Sequence, residues 1–151
     1  MNVFEVVDEV VKLYGGLSEK KGISLASYVP HDLHADADKH QLSFIIRNLV
    51  NNAIKFTGNK GHIQVDAIES DLKVIISVSD NGIGMPKTII DKIQSARIDK
   101  SVAGTIGEKG TGLGLLLCCE FMAQNDGQID IESTEGIGST FRIVLNSSRS
   151  F

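Results

Sequence analysis

The sequence predicts a two-layer α/β sandwich, with a mixed sheet of about five strands and about three helices on one face. Three observations predict it. Two long segments, residues 3–20 and 39–56, repeat apolar residues at helical spacing, and residues 115–123 are apolar almost throughout. Five other segments alternate apolar and polar residues as half-buried strands do, four of them in two pairs joined by short turns. Finally, 151 residues that are 42% hydrophobic and 23% charged suit one folded domain with its own core.

In the first helix, Phe4, Val7, Val10, Val11, Tyr14 and Leu17 form the expected apolar stripe, with Glu5, Asp8, Glu9 and Lys12 between them. Gly15-Gly16 weakens its last turns and Gly22 closes it. Ile23 to Val29 alternates as a strand that Pro30 stops. His31, His34 and His40 lie among Asp32, Asp36 and Asp38, where a metal cluster is conceivable and a solvated polar lead into a helix is the plainer reading. Asp38 suits an N-cap, and Gln41 three residues on completes a capping-box pattern.

The helix of residues 39–56 has Leu42, Ile45, Ile46, Leu49, Ala53 and Phe56 as its buried stripe. Asn48, Asn52 and Lys55 project from one side of it. Asparagine is a weak helix former. Two of them beside a lysine suit either a solvated face or a site for hydrated Mg²⁺ and nucleotide phosphates.

Thr57-Gly58-Asn59-Lys60-Gly61 ends that helix, and a predicted hairpin follows. Ile63, Val65 and Ala67 share one face of its first strand; Leu72, Val74, Ile76 and Val78 share one face of its second. The second strand delivers a carboxylate, Asp80, into Asp80-Asn81-Gly82-Ile83-Gly84. Such a stretch reads either as a plain turn or as a place where a ligand lies against bare backbone with a carboxylate to accept its hydrogen bonds. Pro86 then opens a short helix through Ile89, Ile90 and Ile93.

Residues 95–110 show no period, and long irregular stretches inside compact domains are usually functional or disordered. Gly110-Thr111-Gly112-Leu113-Gly114 opens the apolar helix of residues 115–123, a placement that offers free N–H groups to an anion. A second hairpin is predicted from Ile129 and Ile131, a Gly136-Ile137-Gly138 turn, and Phe141, Ile143 and Leu145 alternating with Thr140, Arg142 and Val144. The domain is expected to span residues 1–146, with 147–151 as a polar tail leaving it.

Charge and composition exclude several classes. A net charge of −4 argues against a nucleic-acid backbone binder, and no apolar run reaches the length of a membrane span, so neither nucleic acid nor direct membrane contact is expected. The adjacent pair Cys118-Cys119 is unsuited to a mutual disulfide, which points to a reducing, cytoplasmic setting.

Seven of the fifteen glycines lie between Gly82 and Gly114, which invites comparison with phosphate cradles. The Walker pattern fails because Leu113 follows Gly112; the dinucleotide pattern G-x-G-x-x-G fails at Gly82-Ile83-Gly84 and at Gly112-Leu113-Gly114. H-R-D and D-F-G are absent as well. Four other motifs fit in order. Asn48 to Thr57 resembles an N box, Asp80 to Met85 a G1 box, Gly110 to Leu115 a G2 box, and Gly136 to Phe141 the last glycine motif. With these, residues 3–145 resemble the ATP-binding catalytic domain of sensor histidine kinases. That domain has the Bergerat fold, in the superfamily of DNA gyrase, the MutL repair protein and the ninety-kilodalton heat-shock chaperone.

The resemblance implies roles. Asp80 accepts from the adenine amino group, with Thr140 in support, and Phe56 and Ile83 help enclose the base beside Gly82 and Gly84. Asn52 ligates Mg²⁺ with Asn48 assisting, and Lys55 touches phosphate. Lys109, Gly110, Thr111, Gly112, Leu113 and Gly114 close over the triphosphate, with residues 95–109 as a lid. Asn48 also bears on the reaction, because hydrolytic branches of the superfamily usually carry a glutamate base there and an amide cannot activate water. The implied cofactors are ATP and Mg²⁺. The implied partners are a dimerisation and phosphoacceptor histidine segment and the receiver domain of a response regulator.

Two departures stand out. No phenylalanine pair of an F box is visible, Ile93-Gln94-Ser95-Ala96-Arg97 standing in its place, and Cys119 stands where a cation is common. None of His31, His34, His40 and His62 has the His-Glu-x-x-x-Pro setting of a phosphoacceptor, so the target histidine is expected on another segment, in a parent that can be membrane-anchored. An anti-sigma-type serine kinase and a non-catalytic nucleotide sensor remain as alternatives.

Overall fold

The structure, a computed structural model, describes residues 1–96 and 113–148. In chain order the elements are α1 (Val3–Lys20), β1 (Ser24–Tyr28), α2 (Lys39–Phe56), β2 (His62–Ser70), β3 (Lys73–Asp80), α3 (Lys87–Ala96), α4 (Leu113–Gln124), β4 (Gln128–Thr134) and β5 (Gly138–Asn146). The five strands form one mixed sheet in the order β1-β2-β3-β5-β4. Only β1 and β2 run parallel, and α2 lies in the crossover that such a pair requires. The two-layer α/β class and the strand number are those the sequence predicts.

The two long helices have local reasons for their ends. Asn2 caps α1 by accepting from the Glu5 N–H at 3.0 Å. At its other end Gly22 (φ +74°) donates to Glu19 O at 3.0 Å and Ile23 donates to Ser18 O at 2.9 Å, the two bonds of a Schellman motif. Gly16 is an exposed helical glycine with open space where a Cβ would stand. Gly16→Ala therefore raises stability by about 0.5–1 kcal/mol in urea denaturation.

The apolar stripe of α1 differs from expectation. Val3, Val6, Val7 and Val10 are buried, whereas Leu17 is 49% exposed and Phe4 stacks on His31 with ring centroids 3.9 Å apart. The small β-branched side chains meet α2 closely, and the bulky ones are left at the rim. The capping box of α2 is also only half realised. Asp38 accepts from Gln41 N–H at 2.9 Å, but its own N–H goes to Asn125 Oδ1 at 2.8 Å, and the Gln41 side chain bonds Gln124 and Asn125. The start of α2 is thus tied to the end of α4 instead of to itself.

The core lies between the sheet and the helices. Ile63, Val65, Ala67, Val74, Ile76, Val78, Ile129, Ile143 and Leu145 face Leu42, Ile45, Ile46, Leu49, Val50 and Ala53 of α2 and Leu115, Cys118 and Met122 of α4. Each fully buried aliphatic side chain there contributes roughly 1.5–3 kcal/mol.

Residues 147 and 148, expected to begin a polar tail, are held by the fold. Ser147 is fully buried, bridges Ala35, donates its N–H to Leu72 O at 2.9 Å and its hydroxyl to Glu69 at 2.6 Å. Ser148 donates to His34 O at 3.3 Å. Backbone groups of segment 33–36 are taken by Met1 and Val3 on one side and by Asn146 and Ser148 on the other.

Candidate nucleotide-binding site

The site is built where the end of β3 meets the end of α2 and the β4–β5 turn. Asp80 is the last residue of β3 and pairs with Ile63 on one side and Ser139 on the other. Alternation along β3 buries Val74, Ile76 and Val78, so Asp80 points to the helix-covered face. Its carboxylate accepts from Gly82 N–H at 2.9 Å. Burial pushes the Asp80 carboxyl above the usual aspartate range, and the backbone N–H groups of Gly82 and Ser139 pull it partly back.

Four bonds pin the loop that follows. Asn81 Oδ1 accepts from His62 N–H at 2.7 Å, Ile83 N–H donates to Phe56 O at 3.1 Å, and Gly136 N–H donates to Ile83 O at 2.7 Å. Met85 N–H donates to Ser133 Oγ at 2.7 Å. The glycines are required by close approach: a Cβ on Gly82 would fall on the Phe56 carbonyl, and one on Gly84, at φ +67°, on the Thr134 carbonyl. Backbone from α2, β3 and the β4–β5 hairpin meets here with no room for side chains. Ile83 is left 62% exposed and Phe56 39% exposed, so Phe56 stands outside the buried stripe assigned to it and beside Asp80's loop.

Thr140 is not beside Asp80. It pairs with Ser79, donates to the Ser79 hydroxyl at 3.2 Å, and lies on the outer face of the sheet with the Arg142–Glu132 ion pair. Ser139 is the residue opposite Asp80, 8% exposed and on the same face. Ser139, and not Thr140, is thus the hydroxyl residue that shares a face with Asp80. Strand parity is the reason, since adjacent residues of a strand face opposite ways.

On α2, Asn48 and Asn52 are half-buried and Lys55 is exposed. Asn48 Nδ2 donates to Phe44 O at 3.0 Å, which fixes the amide so that its oxygen lies against Gly114, in the first turn of α4. Asn52 makes no side-chain hydrogen bond among the described residues. Lys55 Nζ sits 5.8 Å from the Phe56 ring centroid. Thus Asn48, Asn52, Lys55 and Gly114 gather at one side of α2, and Asp80, Gly82, Ile83 and Gly84 gather at its end.

Lys21 was not visible as a site element from sequence. Its ammonium donates to Ile54 O at 2.6 Å and to Lys55 O at 3.0 Å, a cation at the negative end of the helix that carries the asparagines. Lys21→Met should cost about 1 kcal/mol in denaturant unfolding, and Lys21→Arg should retain most of it. Lys109, Gly110, Thr111 and Gly112, the side chain of Leu113 and most of the predicted lid fall outside the described residues. Among the helices, Cys118 is buried, its thiol pushed up to about 12 by burial and by the neighbouring Cys119, so it is a packing residue at neutral pH.

Fold and site together define a nucleotide-binding α/β sandwich. The chain belongs to the histidine kinase-, DNA gyrase B-, and HSP90-like ATPase family, whose model matches residues 37–149. Sensor histidine kinase WalK of Bacillus subtilis is 34% identical over 118 residues, which is 76% of this chain and 19% of that protein. Adaptive-response sensory kinase SasA of Synechocystis sp. is 33% identical over 149 residues, which is 95% of this chain and 37% of that protein. The chain therefore spans well under half the length of these relatives. Among solved structures, the catalytic domain of histidine kinase ThkA is 30% identical with a TM-score of 0.81, covering 97% of this chain and 95% of that one. ThkA solved in complex with its response regulator TrrA matches at 25% identity and a TM-score of 0.77, covering 98% of this chain and 41% of that one.

Proposed function

We propose that this chain binds Mg-ATP as the catalytic domain of a two-component sensor histidine kinase and transfers the γ-phosphoryl group to a histidine on a dimerisation and phosphoacceptor segment. Asp80 accepts from the adenine amino group, with Ser139 beside it, and Phe56 and Ile83 cover the base. Lys55 meets phosphate, and Lys109 to Gly114 close over the triphosphate. The donor set fits a magnesium ion carried by phosphate. Asn52 offers an amide oxygen with no hydrogen bond among the described residues, and Asn48 offers one whose direction is fixed by its bond to Phe44 O. Neutral oxygen donors of this kind suit a hard cation that keeps much of its water. When bound, the ion neutralises phosphate charge; the chain's own residues orient the nucleotide, which is most of what phosphoryl transfer requires.

The observation that carries this reading is the amide at position 48. Its NH₂ group is committed to Phe44 O and its oxygen faces Gly114, so it holds no group able to take a proton from water. An ATP site with an amide instead of a water-activating base at this position favours transfer to a strong nucleophile over hydrolysis. A receiver domain as the next acceptor is supported by the relation to ThkA, solved with a response regulator. No helix among the described residues is long and apolar enough to cross a membrane, and a cytoplasmic place for the domain follows from its need for ATP and a receiver.

The test is to supply γ-labelled Mg-ATP and a phosphoacceptor segment to the chain. Label on histidine, lost in acid and kept in base, is expected. Acid-stable label on serine would overturn the histidine assignment in favour of a serine kinase, and ATP binding with no label would favour a nucleotide sensor.

A further inference from the structure

The floor of the base pocket is joined to the G1 loop by one hydroxyl. Ser133, half-buried on β4, has three polar neighbours: Met85 N–H at 2.7 Å, Gly138 O at 3.1 Å and Ser139 Oγ at 2.7 Å. A serine carries one proton and two lone pairs. Met85 N–H can only donate and the Gly138 carbonyl can only accept. The arrangement that satisfies all three contacts has Ser133 donating to Gly138 O and accepting from both Met85 N–H and the Ser139 hydroxyl.

That fixes the Ser139 proton. Ser139 stands directly opposite Asp80 on the helix-covered face, and a hydroxyl whose proton is spent on Ser133 presents only lone pairs to whatever lies in front of it. The ionised Asp80 carboxylate is also acceptor-only. We infer that Ser133 is a positioning residue for base selection: by taking the Ser139 proton it leaves two adjacent acceptors, Asp80 and Ser139, which match the 6-amino group of adenine and repel the 6-carbonyl of guanine. The inference rests on the assignment of Asp80 to the base. Discrimination of this kind is effective because a mismatched buried acceptor is left without a donor. The same hydroxyl holds Met85, so the selecting pair and the glycine loop are set by one atom.

The affinities of the 151-residue chain for ATP and GTP, measured by calorimetric titration, test it. The wild-type chain should prefer ATP. Ser133→Ala should shrink the ATP-over-GTP ratio at least about tenfold, because Ser139 can then turn its proton toward the base. Ser133→Thr, which keeps the hydroxyl, should keep the ratio. Ser139→Ala should lose the ratio to a similar extent, and the double alanine variant should lose no more than either single one, since both remove the same acceptor. An unchanged ratio in Ser133→Ala or Ser139→Ala, with the ratio collapsed in Asp80→Asn, would overturn the role of Ser133 and leave the base assignment standing. Equal affinity of the wild-type chain for ATP and GTP would overturn both.

Discussion

Asp80→Asn lowers the affinity of the chain for ATP at least about a hundredfold in a calorimetric titration. The two side chains have the same shape, so the effect comes from polarity alone. The carboxylate has one oxygen on Gly82 N–H and so keeps acceptor capacity for the base. Asparagine can keep the bond to Gly82 only by presenting its NH₂ to the adenine amino group, donor against donor. The unliganded protein responds in the opposite direction. Burial raises the Asp80 pKa, so the folded chain holds that proton more tightly than the unfolded chain does. Stability therefore falls as pH rises from the ordinary aspartate value through the raised one, and at neutral pH the ionised group is a net liability. Asp80→Asn removes it, and the apo variant should melt no lower than wild type at pH 7 while failing to bind. ATP binding by the wild-type chain should weaken as pH drops through the same raised pKa. A variant that loses binding and stability together would point to misfolding instead of lost recognition.

Gly84→Ala should cost about 3 kcal/mol and lower the melting temperature by roughly 10 °C. Its φ of +67° disfavours a side chain, and the Cβ would meet the Thr134 carbonyl, which the β4–β5 turn holds in place. Gly136→Ala is the control. It has a similar φ of +83° but open space around it, so only the conformational term of about 1 kcal/mol applies. Differential scanning calorimetry of the two variants separates close approach from dihedral preference. Equal losses would mean that the packing of three backbones around Gly84 is looser than described.

Much of this was legible in the sequence, for reasons that are local. The strand that ends at Asp80 is read from its alternation, the capped helix from Asp38 and its apolar stripe, and the asparagine side from spacing alone. Ser139 was also legible: Phe141, Ile143 and Leu145 face the core, and the same parity puts position 139 inward and Thr140 outward. Two hydroxyls stand side by side there, at 139 and 140, and only strand parity tells which one shares the face of Asp80. Lys21 and Ser133 were not legible, since their partners lie 33 and 34 residues away for Lys21 and 48 residues away for the Met85–Ser133 bond. Contacts of that range are set by how elements stack, and no periodicity records them. The stripe of α1 was misjudged because several faces of that helix are apolar, and only packing against α2 decides that valines, and not Phe4 or Leu17, go inward.

The central claim is that ATP lies with its base at Asp80 and its metal-bound phosphates at Asn52. Calorimetric titration of ATP with and without Mg²⁺, on the wild-type chain and on Asn52→Ala, tests it most directly. Tighter binding with Mg²⁺ in the wild-type chain, and no difference with Mg²⁺ in Asn52→Ala, is the predicted result. A Mg²⁺ enhancement of equal size in both proteins would contradict it.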